Sequence, residues 1–495
     1  MGSSSDARGA RRFDALRALA PGMLVALPLS FALPRALHRA SWATLGRDQG
    51  IFQYVAWAVG QGDLAYRDVR DVNGPLVPLL HLVLLWLGGD DEHRFRVLDL
   101  LFTGLTAAFA GATFWTLAPH AADASRRFRG ARAISAGLAA WGVVSAQYVA
   151  YGFWDSAQRE SFFDWFLLGS LGCFLLASQA LAEARSRRGL LFLAAAGAMS
   201  VMPWFGKPTY ALFTVAELLV LLLDRQRLSR LARGFVFGLG GVAGALVPVL
   251  FLLARGDVGA WLRISFKDVP AMYRFIWPRT PSDILFSDLS RLTWLALASS
   301  GGVILFVLLR RLPVRALVLA TTPLCGLVSV VAQAKGFIYH FHPVTVGSAL
   351  CLVALALSVW DWADSRSSLA LRGVSAVVAS ALALVLGWRM SRLAWRAPYP
   401  PHPNHTRKRR TRRVSRSTIA STSFRRPFVT RRPSSMRTRA KTSASRRTAW
   451  IRTCCSWRAA RARRHISTRT TSMPMPRLSV ASIRQGSTRR PRRGT

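Results

Sequence analysis

Runs of Leu, Ala and Val long enough to cross a bilayer recur along the first 390 residues of the chain. A spanning helix needs roughly 20 apolar residues. On that criterion spans fall near 16–35, 97–118, 133–151, 161–181, 189–203, 209–223, 234–254, 292–309, 316–333, 343–360 and 372–388. The pattern predicts an all-α integral membrane protein with about eleven, and between eleven and thirteen, transmembrane helices. The run 74–88, "GPLVPLLHLVLLWLG", is shorter and carries Pro75 and Pro78 near its start, which fits a half-inserted or re-entrant segment.

The loops orient the spans. One set is basic: Arg126, Arg127, Arg129 and Arg132; Arg185, Arg187 and Arg188; Arg225, Arg227, Arg230 and Arg233; Arg310, Arg311 and Arg315. By the positive-inside rule these loops are cytoplasmic, and so is the N-terminus with Arg8, Arg11, Arg12 and Arg17. The apolar run that follows, about 18–34, fits a signal peptide or an anchor. With so many spans after it, an uncleaved first helix is the simpler account. The alternate loops, 36–72, 151–160, 204–210, 255–291 and 335–343, then face outward at a cell membrane. Alternation requires an odd number of crossings between residues 72 and 126, so 74–88 does not cross.

Every loop that mixes acids, amides, His and Lys with aromatics falls on the outer face. Residues 50–61, "GIFQYVAWAVGQ", place Ile51, Tyr54, Val55 and Ala58 on one face of an amphipathic helix lying at the interface. Asp48 precedes it, where a helix N-terminus favours a carboxylate, and taken alone Asp48 reads as a cap. The 400 residues before the tail hold three lysines, Lys207, Lys267 and Lys335. Two of these lie in the outer loops "WFGKPTY" and "KGFIYHFHP", the second with His340 and His342; anion binding and snorkelling to the interface weigh equally for these groups. In "YGFWDSAQRE", Asp155, Gln158, Arg159 and Glu160 converge on the outer face, as substrate contacts or as caps of the span that follows. Asp99, Asp164 and Glu217 lie in or at the ends of spans, where ionisable groups face a cavity or a partner. The two acids of "GGDDEHR" read as solvated, and no phosphate-binding glycine loop, dinucleotide fingerprint, hydrolase elbow or zinc spacing occurs.

The first outer loop, "RDQGIFQYVAWAVGQGDLAYRDVRDVNGPL", resembles that of membrane glycosyltransferases of the GT-C superfamily. The nearest groups are the protein O-mannosyltransferase-like and lipid A aminoarabinose transferase-like families. The matching positions are Asp48, Tyr54, Ala58, Gly62, Tyr66, Asp68 and Pro75; Gln49 stands where those proteins usually have a second acid. The resemblance implies sugar transfer from a polyprenyl-phosphate donor to a lipid, glycan or protein acceptor at the outer membrane face. Such a reaction needs a carboxylate to take the acceptor proton and cations to stabilise the departing lipid phosphate. Asp48 matches the catalytic acid. The substrate-binding candidates are Tyr66, Asp68, Asp155, Gln158, Glu160, Lys207, Lys335, His340 and His342. Asp68 and Asp71 either orient sugar hydroxyls or solvate the loop, and solvation is the simpler account of Asp71. No cofactor is implied with certainty, and participation of a divalent metal stays open.

The net charge of +44 is unevenly spread, because residues 401–495 hold 28 of the 67 Lys and Arg and none of the 23 Asp and Glu. The chain thus divides into a membrane domain, 1–395, and an Arg-, Ser- and Thr-rich tail, 396–495, expected to be disordered as written. A basic arm for nucleic acid or anionic lipid would suit this composition. The topology puts it outside, where positive charge after a span is disfavoured and no nucleic acid is expected. The five cysteines suggest neither a disulfide framework nor a metal site. The rival functions are a polytopic transporter or flippase, whose polar groups would line a midplane path, and an inactive, frame-disrupted glycosyltransferase.

The last rival rests on codons. Cys and Trp codons begin with T, and in the frame offset by two bases that T becomes the middle base of apolar codons. With synonymous choices "KTSASRRTAWIRTCCSW" reads as "QDQRVQTYGMDPYLLFL", an ordinary globular string. Sequencing the gene across codons 396–495 should return codons that yield this second frame; codons that do not yield it remove the account.

Overall fold

The computed structural model describes residues 3–398 except 119–125, 227, 274, 277, 287–288 and 365–367, so almost all of the basic tail lies outside the described residues. The described chain is helical throughout. Its helices are α1 (Ser3–Ser41), α2 (Arg47–Gly60), α3 (Leu76–Gly88), α4 (Glu92–Ala112), α5 (Arg126–Ala150), α6 (Gly152–Asp155), α7 (Arg159–Ala182), α8 (Ser186–Val201) and α9 (Ala211–Leu223). They continue with α10 (Arg230–Arg255), α11 (Val258–Arg263), α12 (Val269–Tyr273), α13 (Pro281–Leu285), α14 (Ser290–Leu308), α15 (Leu317–Ala332), α16 (His342–Asp364) and α17 (Leu369–Trp395). Ten helical stretches among the described residues are long and apolar enough to span, and Leu76–Gly88 and Pro208–Leu223 are shorter apolar helices. Each of the eleven predicted spans corresponds to one of these stretches.

Neighbour contacts fix the helix directions. Gly22 and Leu29 of α1 meet Ser135 and Gly142 of α5, so these two run parallel. Gly111 of α4 meets Ala136 and Ala140 of α5 while Asp99 meets Tyr148, so this pair is antiparallel. The same opposition holds for α7 with α8, through Gly169–Met199 and Leu181–Gly189, and for α15 with α16, through Gly326–Val344 and Leu319–Cys351. The bundle therefore has a basic end and an opposite end that gathers the mixed polar loops.

At the basic end, arginines clamp helix ends. Arg233 donates to the Leu221 carbonyl at 2.6 Å, Arg315 to the Thr116 carbonyl at 2.6 Å and to Gln179, and Arg132 to the Leu357 carbonyl and, at 2.7 Å, to Asp361. The Leu221 and Thr116 carbonyls lie at helix C-termini, where terminal carbonyls lack intrahelical donors and the helix dipole favours a cation, whereas Leu357 lies two turns inside α16.

The α3 helix begins and ends at the mixed polar end. Just before it, Gly74 N donates to the Gly206 carbonyl; just after it, Glu92 at the start of α4 accepts from Leu45 N at 3.0 Å. Its 13 residues cover roughly 20 Å without changing sides. Of the face that periodicity assigns to α2, Val55 and Ala58 are buried and Ile51 and Tyr54 are exposed; Phe52, Ala56 and Val59 are buried as well. The reason is that α3 packs on the 52–59 side: Gln53 reaches His81, and Phe52 packs with Leu76 and Val77.

Helices α8 and α10 approach through glycines. A Cβ added to Gly240 would lie 2.0 Å from the Ala194 carbonyl oxygen, and one on Gly197 equally close to that of Phe237; around Gly238 there is open space. Such contact lets backbones pack where lipid supplies no hydrophobic drive between helices. Gly240→Val should therefore lower stability by about 1–3 kcal/mol, read as an earlier thermal transition in detergent, while Gly238→Val should stay within about 0.5 kcal/mol.

Candidate functional site

The polar end is organised around Glu160, which is fully buried in the first turn of α7. Its Oε1 accepts from Lys207 Nζ at 2.6 Å and from Arg159 Nε at 3.0 Å, and His340 Nε2 stands 3.7 Å away. The helix N-terminus adds its own positive potential. Each cation reaches onward. Arg159 donates to the side-chain carbonyl of Asn73, and Lys207 to that of Gln333, whose amide reaches Ser329 at 3.1 Å. Burial first, and then the Arg159 charge, lower the Lys207 pKa to about 7, against the opposing pull of Glu160.

Asn73 draws the first outer loop into this cluster. Its backbone carbonyl accepts from Tyr66 OH at 2.9 Å, and its backbone and amide nitrogens donate to Asp71 Oδ1 at 3.1 and 2.6 Å. Asp71 is therefore buried and not solvated, and burial raises its pKa above the usual carboxylate range. Tyr66 adopts a left-handed φ of 73°, uncommon outside glycine, at a tight turn whose ring is packed in and whose hydroxyl is bonded. Gly74 follows with no room for a side chain, since a Cβ there would lie 2.0 Å from the Phe205 carbonyl oxygen. Asp68 lies apart from the cluster: it accepts from Leu64 N at 2.9 Å and pairs with Arg67, closing an exposed turn.

A second knot lies beside Asp48, the second residue of α2. Gln49 is fully buried; its Nε2 donates to the carbonyls of Phe153, Trp154 and Ser156 at 3.0, 3.3 and 2.6 Å. Its Oε1 accepts from Gly46 N and, at 3.1 Å, from Arg96 Nη2. Arg96, also buried, donates to the Phe153 carbonyl at 2.7 Å and to Ser156. Asp155 lies between the carbonyls so held, and its own carbonyl accepts from His342 Nε2 at 2.8 Å. Burial, and then the Asp48 carboxylate, push the Asp155 pKa upward. Gln158 closes the same turn, Nε2 donating to the Trp154 carbonyl at 2.7 Å.

Of the predicted residues, Glu160, Lys207 and His340 meet, with Arg159 beside them. Asp155 feels the Asp48 charge, and His342 supports Asp155 from α16, stacked on Tyr151 at 3.9 Å. Tyr66 supports Asn73, and Gln158 shapes the second loop. Lys335 is drawn elsewhere: Nζ donates to the Tyr273 carbonyl at 2.7 Å and to that of Ile276, tying down the segment that carries α12. Of the acids in the spans, Asp99 accepts from Tyr148 OH at 2.6 Å and Glu217 from Ser170 at 2.7 Å, while Asp164 lies 3.8 Å from His342 Nδ1. Asp91 caps α4 through His93 N and Arg94 N, which lowers its pKa. Gln49, Arg96, Asn73 and Gln333 had no part in the sequence-derived site; the one local signal was an arginine at the start of the span 97–118, at Arg96. Among the described residues no three His, Cys, Asp or Glu side chains gather as metal ligands, and the Gln49 amide beside Asp48 is already committed to protein groups.

No family model matches the chain, and no curated protein matches it. Among solved structures, it is similar to the crystal structure of ArnT from Cupriavidus metallidurans bound to undecaprenyl phosphate, with 16% identity, coverage of 75% of this chain and 76% of that one, and a TM-score of 0.47.

The Lys207 pKa sets a pH test. A lysine lowered to about 7 holds its proton below that pH and loses it above. Affinity for an anion at the cluster should therefore fall as pH rises through 7. Titrating a polyprenyl phosphate against the detergent-solubilised protein should show this slope. Lys207→Met should bind about 10–100-fold more weakly, as expected for one lost charge-assisted hydrogen bond, and the slope near pH 7 should disappear.

Proposed function

We propose that the chain is a membrane glycosyltransferase that moves a sugar from a polyprenyl-phosphate donor to an acceptor hydroxyl at the outer face, with Asp48 as general base. The observation that carries this reading is the charge balance at the polar end. Glu160 is paired with two partly buried cations, Arg159 and Lys207, so with Lys207 protonated this trio is one positive charge in excess, at the same end of the bundle as Asp48 and Asp155. Tyr339 lies within the fields of both Asp48 and the Glu160–Arg159 pair, linking the two knots.

The chemistry follows from that arrangement. The acceptor oxygen attacks the anomeric carbon as Asp48 takes its proton. The bond from that carbon to the phosphate oxygen breaks, and its electron pair leaves with the polyprenyl phosphate. Lys207 and Arg159 meet the charge that develops there, held in place by a carboxylate they already neutralise. The lipid chain would remain in the membrane while only its head group reaches the cluster. The polar groups crowd one end of the bundle and do not form a midplane path, which favours this reading over a transporter. The basic end, by the positive-inside rule, faces the cytoplasm together with the N-terminus.

Transfer should be measurable in membranes supplied with polyprenyl-phosphate sugars. Asp48→Asn should insert normally and lose about 10²–10⁴-fold in rate, the usual weight of a general base. A variant that transfers as fast as the parent removes Asp48 from that role.

A further inference from the structure

We propose that Gln49 and Arg96 are positioning residues that hold Asp155 of the second outer loop against Asp48, so that the site works with a pair of carboxylates drawn from two loops. Gln49 occupies the place of the second acid in the resembling proteins, yet its amide faces away from any acidic role. It spends both amide hydrogens on the Phe153, Trp154 and Ser156 carbonyls, which flank Asp155 on either side. A glutamate could not make these bonds, because an ionised carboxylate only accepts. Arg96 braces the same loop at Phe153 and Ser156 and joins it to Thr44 and Gln49. On the other side, His342 holds the Asp155 carbonyl. Since Asp48 and Gln49 are neighbours in α2, fastening the loop to Gln49 fastens Asp155 near Asp48.

Left-handed backbone at Gly152 and Ala157 bends the loop around this point, and Tyr148 OH accepts from Ala157 N at 2.7 Å. Asp155 itself stays partly exposed, as does Asp48. The groups around the pair are Tyr339 ahead of α16, Tyr151, His342 and, under the loop, Arg96; Glu160 and Arg159 lie beyond Tyr339. Burial and then the Asp48 charge raise the Asp155 pKa, so Asp155 is the group that reports the pairing.

The role of the pair in sugar transfer rests on the function proposed above; the pairing does not, and it has its own readout. Carbodiimide labels protonated carboxyl groups, and peptide mass spectrometry reports labelling at Asp155 across a pH series. In the parent protein, labelling of Asp155 should persist to higher pH than in Asp48→Asn or Gln49→Met. The double variant Asp48→Asn/Gln49→Met should match either single one, because each breaks the same coupling. Gln49→Ser, which loses the three carbonyl contacts and adds no charge, should behave as Gln49→Met does, and it carries the test if Gln49→Met does not fold.

In the transfer assay, Gln49→Met should lower kcat on the order of tenfold and leave the donor KM within about twofold. Labelling of Asp155 that is unchanged in the Gln49 variants overturns the pairing, whatever the transfer assay shows. Parent protein that moves no sugar while labelling shifts as expected overturns the function and leaves the pairing standing.

Discussion

A carboxylate sealed among helices stays ionised only where positive charge compensates for the water it has lost, and at Glu160 that compensation comes from three directions at once. Arg159 supplies it from the adjacent position, Lys207 from the link between α8 and α9, and the first turn of α7 from its own peptide dipoles. Both cations are then held by amide carbonyls from further away, Asn73 and Gln333. Four distant parts of the chain are thereby fixed about a single acid. Because removing one partner of a buried pair leaves an uncompensated charge, the loops cannot drift apart independently.

The Gln49 knot uses a different principle a short distance away. Its main connections are hydrogen bonds to backbone carbonyls, so it fixes the path of the second loop regardless of most side chains that loop carries. Charge positions one half of the site, and amide geometry the other. Between them lies Asp155, the residue whose surroundings draw on both.

The spans were legible because twenty consecutive apolar residues have few other fates, and the sidedness of the loops because arginine clusters recur on alternate turns. The convergence of Glu160, Lys207 and His340 was legible only as a shared face, since nothing local in "QRE", "FGKP" or "YHFHP" specifies contact between them. The burial of Phe52, Ala56 and Val59 was not legible within α2, because it comes from α3, a partner that periodicity within α2 does not see. Asp71 was misread for a similar reason: an aspartate in a polar loop is solvated unless something folds over it, and here Asn73 and Tyr66 do. Gln49 looked like a missing acid because its value lies in donating hydrogens, which a pattern built on charge does not register.

Arg233 and Arg315 at the basic end fasten helix ends that would otherwise present bare carbonyls. By the positive-inside rule, the loops that carry them also steer each span as the chain enters the bilayer. One set of guanidinium groups therefore acts twice, first as a guide during insertion and later as a rivet. Exchanging these arginines for neutral residues to invert the molecule would remove the rivets along with the signpost, so a chain persuaded to enter upside down would arrive without the fastenings that its bundle needs.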